Sequence, residues 1–178
     1  CMLPLFVLAC TSTGDADDEQ DVKYSQQTPN GVERPDDEPE EQFEENLSTG
    51  NAIDLSFAQE VYCFPATEND NFSGNHVFFE VTQPIGTAVT VLATPEKKVD
   101  ISLYVIQTTV DSTDLPPTIT GGGGTTCEAS YDQVEDDNPG QPEGLTIAGW
   151  ESAYRLIIGV AGAHERSEGA FKIELWEE

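Results

Sequence analysis

After residue 50, apolar and polar residues alternate in short runs. Val77, Phe79 and Val81 fall on one face of residues 76–82, and Val89, Val91 and Ala93 on one face of 87–94. Ile101, Leu103 and Val105 repeat the pattern, as do Tyr154, Leu156, Ile158 and Val160, and finally Phe171, Ile173 and Leu175, with Lys172 and Glu174 turned to water. A period of two belongs to an extended strand with one buried face, and the Gly, Pro, Asn and Asp residues between runs supply the turns of antiparallel pairing. Adding 53–57, 61–64, 125–130 and 145–148 predicts eight or nine strands and no helix of useful length. The expected fold is all-β, a single antiparallel β-sandwich of jelly-roll type around one core, spanning residues 51–178. Residues 111–124, with Pro116-Pro117 and the glycines at 121–124, and residues 131–144, with Glu135-Asp136-Asp137, read as surface loops.

Residues 11–50 are written differently. They hold 13 acids and two bases, Lys23 and Arg34, among Gln, Pro, Ser and Thr. A segment so poor in aliphatic residues cannot bury enough surface to offset chain entropy, and disorder is expected. Its like charges should extend it beyond the roughly 35 Å of a neutral flexible linker, below a ceiling of about 140 Å. Residues 10–50 therefore read as a stalk. The whole chain carries 34 acidic and 7 basic residues, a net of −27. Nucleic acid is excluded as a partner and anionic head groups are repelled, because both are bound through Lys and Arg. Membrane contact has to come through lipid.

The apolar run Met2-Leu3-Pro4-Leu5-Phe6-Val7-Leu8-Ala9 stops at Cys10. It is far shorter than the roughly 20 residues of a spanning helix and fits the core of a secretory signal. No Lys or Arg precedes it, so the sequence is read as starting inside that signal, with residues 1–9 as its remnant. Val7-Leu8-Ala9-Cys10 resembles the bacterial lipobox, in which an aliphatic, a variable and a small residue precede the cysteine that is lipidated and becomes the mature N-terminus. The resemblance implies a lipid on Cys10 and a place in the cell envelope. Thr11, where an aspartate would signal inner-membrane retention, points to the outer membrane, facing the periplasm or the cell surface.

Of the four cysteines, Cys63 and Cys127 lie in the folded part. An even pair in an exported chain argues for a disulfide, with two buried thiols as the alternative. A bridge closing such a loop contributes on the order of 4 kcal/mol. No Cys-x-x-Cys spacing occurs, which leaves no pattern for a zinc ribbon or a thioredoxin-type site.

The strand pattern of residues 52–176 resembles the bacterial pre-peptidase C-terminal domain, a β-sandwich found beside secreted proteases and in exported lipoproteins. Val61-Tyr62-Cys63-Phe64 resembles its early aromatic strand, and 99–105, Val-Asp-Ile-Ser-Leu-Tyr-Val, its central Asp-containing strand. Cys127-Glu128-Ala129-Ser130-Tyr131-Asp132 is similar to the strand and turn that follow. The closing hairpin is matched by Tyr154-Arg155-Leu156-Ile157-Ile158 with Gly169-Ala170-Phe171-Lys172-Ile173. The long Gly and acidic loops depart from the family, and no peptidase is attached.

Chemistry-bearing motifs are sparse. The two histidines are His76 and His164. His164-Glu165-Arg166-Ser167-Glu168 begins like the His-Glu-x-x-His zinc motif but has Glu168 where the second imidazole belongs, and it sits between strands rather than on a helix. No nucleophile elbow, phosphate loop or dinucleotide fingerprint is present. Calcium is the one ion for which donors cluster, since it takes six to eight oxygens. Asp70 and Asn71 form one group and Asp132, Glu135, Asp136 and Asp137 another, though neither has the spacing of a calcium loop; solvated turn acids and Asx turns are the favoured reading of both. Trp150 and Trp176 are available to a sugar platform, with Trp176 also placed to pack on the sheet. The sequence thus predicts a non-catalytic, lipid-anchored β-sandwich that meets an envelope protein or a glycan, with a calcium-stabilised adhesion or carbohydrate-binding module as the alternative.

Overall fold

The computed structural model describes residues 32, 34–54, 70–96, 98–119, 124–127 and 139–178. Within them lie nine strands: β1 (Glu41–Asn46), β2 (Asn51–Ala52), β3 (Asn75–Gln83), β4 (Val89–Pro95), β5 (Ile101–Thr109), β6 (Gly124–Cys127), β7 (Glu143–Ile147), β8 (Tyr154–Gly162) and β9 (Ala170–Glu177). They form a four-stranded sheet in the order β1-β9-β4-β7 and a five-stranded sheet in the order β2-β3-β8-β5-β6. All pairs are antiparallel. Apart from the short β2, this is the jelly-roll arrangement, in which the chain crosses between two facing sheets at each connection except the one from β5 to β6, which pair within one sheet.

The alternating residues meet where the period predicts. Val77, Val91, Leu103, Leu156, Ile158, Val160, Ile173 and Leu175 are buried together between the sheets. The five-stranded sheet is buried on its other face as well: Tyr104, Ile106, Ile157 and Ala161 form a second cluster with Phe72 and Ile119, and Phe78 and Cys127 pack against it. Two covered faces explain why Leu156-Ile157-Ile158 and Leu103-Tyr104-Val105-Ile106 run apolar without a break. Phe72 and Ile119 come from connecting segments, so loops form the second lid.

Strand β1 corrects the expected extent of the stalk. Residues 41–46 pair along β9, from Glu41 opposite Leu175 to Asn46 opposite Ala170. Phe43 lies 5.3 Å from the Phe79 ring, and Leu47, in the 3-10 turn that follows, is fully buried. An edge strand needs few apolar side chains, and its charged residues discourage pairing with another chain; averaging the composition over forty residues conceals it. Ordered structure reaches back further still, because Trp176 Nε1 donates to the Asp37 carbonyl at 2.8 Å and the Arg34 guanidinium sits 5.8 Å from the Trp176 ring centre. Residues 11–31 lie outside the described residues.

Glu174 is a second correction. It does turn away from the core, but it is buried, because Arg34 covers it with a 2.6 Å ion pair while Lys172 approaches at 3.0 Å. At the start of the domain β2 covers only Asn51–Ala52, and Ile53 and Asp54, the first two residues of the expected strand 53–57, lie in no strand. Residues 55–57 and the expected strand 61–64 fall outside the described residues.

Candidate functional site

Three places bring polar or exposed side chains together. The first lies under the second lid. His76 on β3 is 2 % exposed, with Nε2 2.8 Å from the Phe72 carbonyl and Nδ1 2.7 Å from the Tyr104 hydroxyl. A carbonyl only accepts, so Nε2 carries the proton and Nδ1 accepts from the hydroxyl. Burial drives the imidazole pKa down to about 4, only partly opposed by the Phe72 hydrogen bond, and pushes the Tyr104 phenol well above its usual value. Both groups are neutral at physiological pH. The Tyr104 ring lies against Gly159 on the neighbouring strand β8, where any Cβ would overlap it. The constellation holds Phe72 over the sheet and is closed to solvent, so it is a fastening of the fold.

The second place is the end of the sandwich that carries the 163–169 turn. His164 and Glu165 have φ of 51° and 60°, the left-handed region, and His164 Nε2 stands 3.8 Å from the Asp100 carboxylate. The His164 amide donates to the Asp70 carbonyl at 2.7 Å, and Ser73 Oγ donates to the same oxygen at 2.9 Å. Of the expected calcium donors, Asp70 is exposed and Asn71 is buried beside it, while Asp132, Glu135, Asp136 and Asp137 lie outside the described residues. The donors of Asp70's own carbonyl are protein groups, which makes this oxygen part of a loop-to-loop tie. Among the described residues no three His, Cys, Asp or Glu side chains are grouped to hold a metal ion.

The opposite end is of another character. Here the β3–β4, β5–β6 and β7–β8 connections emerge, and they hold all the exposed large apolar side chains among the described residues: Ile85, Val110, Leu115 and Trp150. The 84–88 and 148–150 segments are locked together. Gly86 donates to the Trp150 carbonyl at 2.8 Å, and Gly149 lies so close to the Gly86 backbone that no Cβ fits between them. Below them the fully buried Gln83 amide donates to the carbonyls of Thr87 (2.9 Å), Ile147 (3.3 Å) and Ala148 (3.0 Å), and accepts from Gln107 at 3.0 Å. Beside Val110 opens a groove of about 420 Å³ lined by Glu41, Glu80, Val81, Thr82 and Arg155. Arg155 is gripped on both sides by Glu80 (Nε to Oε2 3.0 Å, NH2 to Oε1 2.7 Å) and donates to the Asp114 carbonyl at 2.9 Å. No sequence motif marks this surface; its residues meet only because the jelly roll delivers their loops to one end.

Of the two tryptophans, Trp150 is 57 % exposed and Trp176 is 2 % exposed, so only the first is free to touch a ligand. Cys127 is half-buried at the end of β6, against the second cluster; Cys63, like Cys10, lies outside the described residues. Among the described residues no helix is long and apolar enough to cross a membrane. Comparison of the chain with protein-family models, with curated proteins and with solved structures returned no match.

Proposed function

We propose that this chain is an envelope lipoprotein in which an acyl-modified Cys10 and an acidic stalk carry a jelly-roll domain of the pre-peptidase C-terminal type, serving as a non-catalytic interaction module. The observation that carries the reading is the junction Val7-Leu8-Ala9-Cys10, followed directly by a polar, acidic segment. An acyl-type anchor needs more than one chain to hold firmly, which the modification of a lipobox cysteine supplies. A bridge between Cys63 and Cys127 braces the domain in this reading, tying the β6 edge to the segment before β3 in an oxidising compartment.

The way the stalk joins the domain favours display. Arg34 meets Glu174, Asp37 meets Trp176, and Glu40 donates its amide to Leu175 and accepts from the Glu177 amide. Residues 34–40 thus run alongside β9 toward the end that bears Ile85 and Trp150. In a bacterial host that processes lipoproteins, the native chain is expected in the detergent phase and the Cys10→Ala chain in the aqueous phase, uncleaved. A Cys10→Ala chain cleaved at the same bond and still membrane-bound overturns the reading.

A further inference from the structure

We propose that the end of the sandwich centred on Ile85 and Trp150 is a docking surface for a cationic polypeptide segment that carries aliphatic or aromatic side chains between its lysines or arginines. The inference rests on the reading of the domain as a binding module and names the chemistry of its partner. It does not depend on the anchor.

The apolar part of the argument is the distribution of exposed side chains. Surface apolar residues scattered singly need no explanation, whereas a cluster does. Ile85 and Trp150, 67 % and 57 % exposed, project from loops joined by the Gly86 to Trp150 hydrogen bond, with Val110 and Leu115 on the third loop of the same end. No described residue of the opposite end is a large exposed apolar one; that end presents Glu96, Lys98, His164, Glu165 and Glu168 instead. The loops are also pre-set. Gln83 binds carbonyls in both of them from a position with no solvent exposure, and Ala88 and Glu178 exchange two backbone hydrogen bonds at 3.0 and 2.9 Å. A surface already fixed in place loses little conformational freedom when it is covered.

Charge selects the occupant. Around the apolar residues stand the exposed carboxylates of Asp111, Asp114, Glu151 and Glu178, with Glu41 and Glu80 in the groove beside Val110. The one described cation at this end, Arg155, is already held by Glu80. A second copy of the chain would bring the same acids against these, and anionic lipid would be repelled as well. A neutral glycan would make no use of the charge, and among the described residues it would find a single large exposed aromatic ring, Trp150. A polypeptide with alternating cationic and apolar side chains satisfies both features: its apolar groups cover Ile85 and Trp150 while its ammonium or guanidinium groups reach the rim and the groove.

The test uses the Cys10→Ser chain in solution at physiological salt and a short synthetic peptide alternating Lys with Leu. A peptide of equal length alternating Lys with Ser is the control for charge alone. With Trp176 buried, a change in tryptophan emission reports on Trp150. The Lys-Leu peptide is expected to shift that emission to shorter wavelength and to bind about tenfold more tightly than Lys-Ser. By calorimetry, Ile85→Ser combined with Trp150→Ala is expected to weaken it about tenfold, whereas Glu165→Gln with Glu168→Gln at the far end leaves it unchanged. Equal affinity for the two peptides, or an unaltered affinity in the Ile85/Trp150 variant, overturns the proposal. A Trp150 response to neutral oligosaccharides or to anionic vesicles, with none to Lys-Leu, overturns the partner class while sparing the binding-module reading; no response to any of them overturns both.

Discussion

Acidification should loosen the second lid through one residue. His76 is held neutral between the Tyr104 hydroxyl and the Phe72 carbonyl, and its folded pKa is about 4 against an ordinary value of 6.5. The sign follows from linkage: between these values the unfolded chain binds the proton and the folded one does not, so stability rises with pH. The contribution is fully present above pH about 6.5 and is lost progressively as the pH falls to about 4. A difference of that size is worth about 2 kcal/mol at pH 5 and about 3 kcal/mol at pH 4, at roughly 1.4 kcal/mol per pH unit. Many carboxylates titrate over the same range, and protonating them relieves repulsion in a chain of net charge −27, so the raw pH dependence mixes opposing effects. The double difference removes them. Urea unfolding of the native and His76→Gln chains at pH 7, 5 and 4 is expected to show the native chain losing about 3 kcal/mol more than the variant across the series. Parallel curves, or an imidazole that titrates at or above pH 6 by NMR, would refute the neutral, buried histidine.

Three further outcomes follow from named contacts. Gly159→Ala places a methyl group against the Tyr104 ring and should cost about 1–3 kcal/mol in chemical denaturation, as overpacking does. Tyr104→Phe in the same assay leaves His76 Nδ1 buried without its donor and is expected to cost about 1–3 kcal/mol. Arg34→Ala removes one of the two cations on buried Glu174 and should lower stability by about 1–3 kcal/mol, with Trp176 emission moving to longer wavelength as residues 34–40 lift from the sheet.

What could be read in advance was the part of the fold that depends on local periodicity. Val77, Phe79 and Val81 declare their face, as do Leu156, Ile158 and Val160, because a strand assigns alternate side chains to opposite sides wherever it sits. The second covered face of β5 and β8 was not read in advance, because its lids, Phe72 and Ile119, come from segments with no period of their own. Arg34 and Glu174 are 140 residues apart, and nothing near Glu174 announces that a cation will bury it. Strand β1 was hidden because one phenylalanine suffices at a sheet edge. The Ile85 and Trp150 surface was illegible for a topological reason: each residue looks like a lone exposed apolar side chain until the jelly roll brings its loop to the same end. The reverse holds for the proposed anchor, which rests wholly on the local junction at Cys10.

The account turns most directly on that junction. Mass spectrometry of the N-terminal peptide from membrane-extracted protein is the measurement to make. The expected result is a peptide that begins at Cys10 and bears lipid on its sulfur. A peptide that runs without cleavage through Ala9 and an unmodified Cys10 would contradict it.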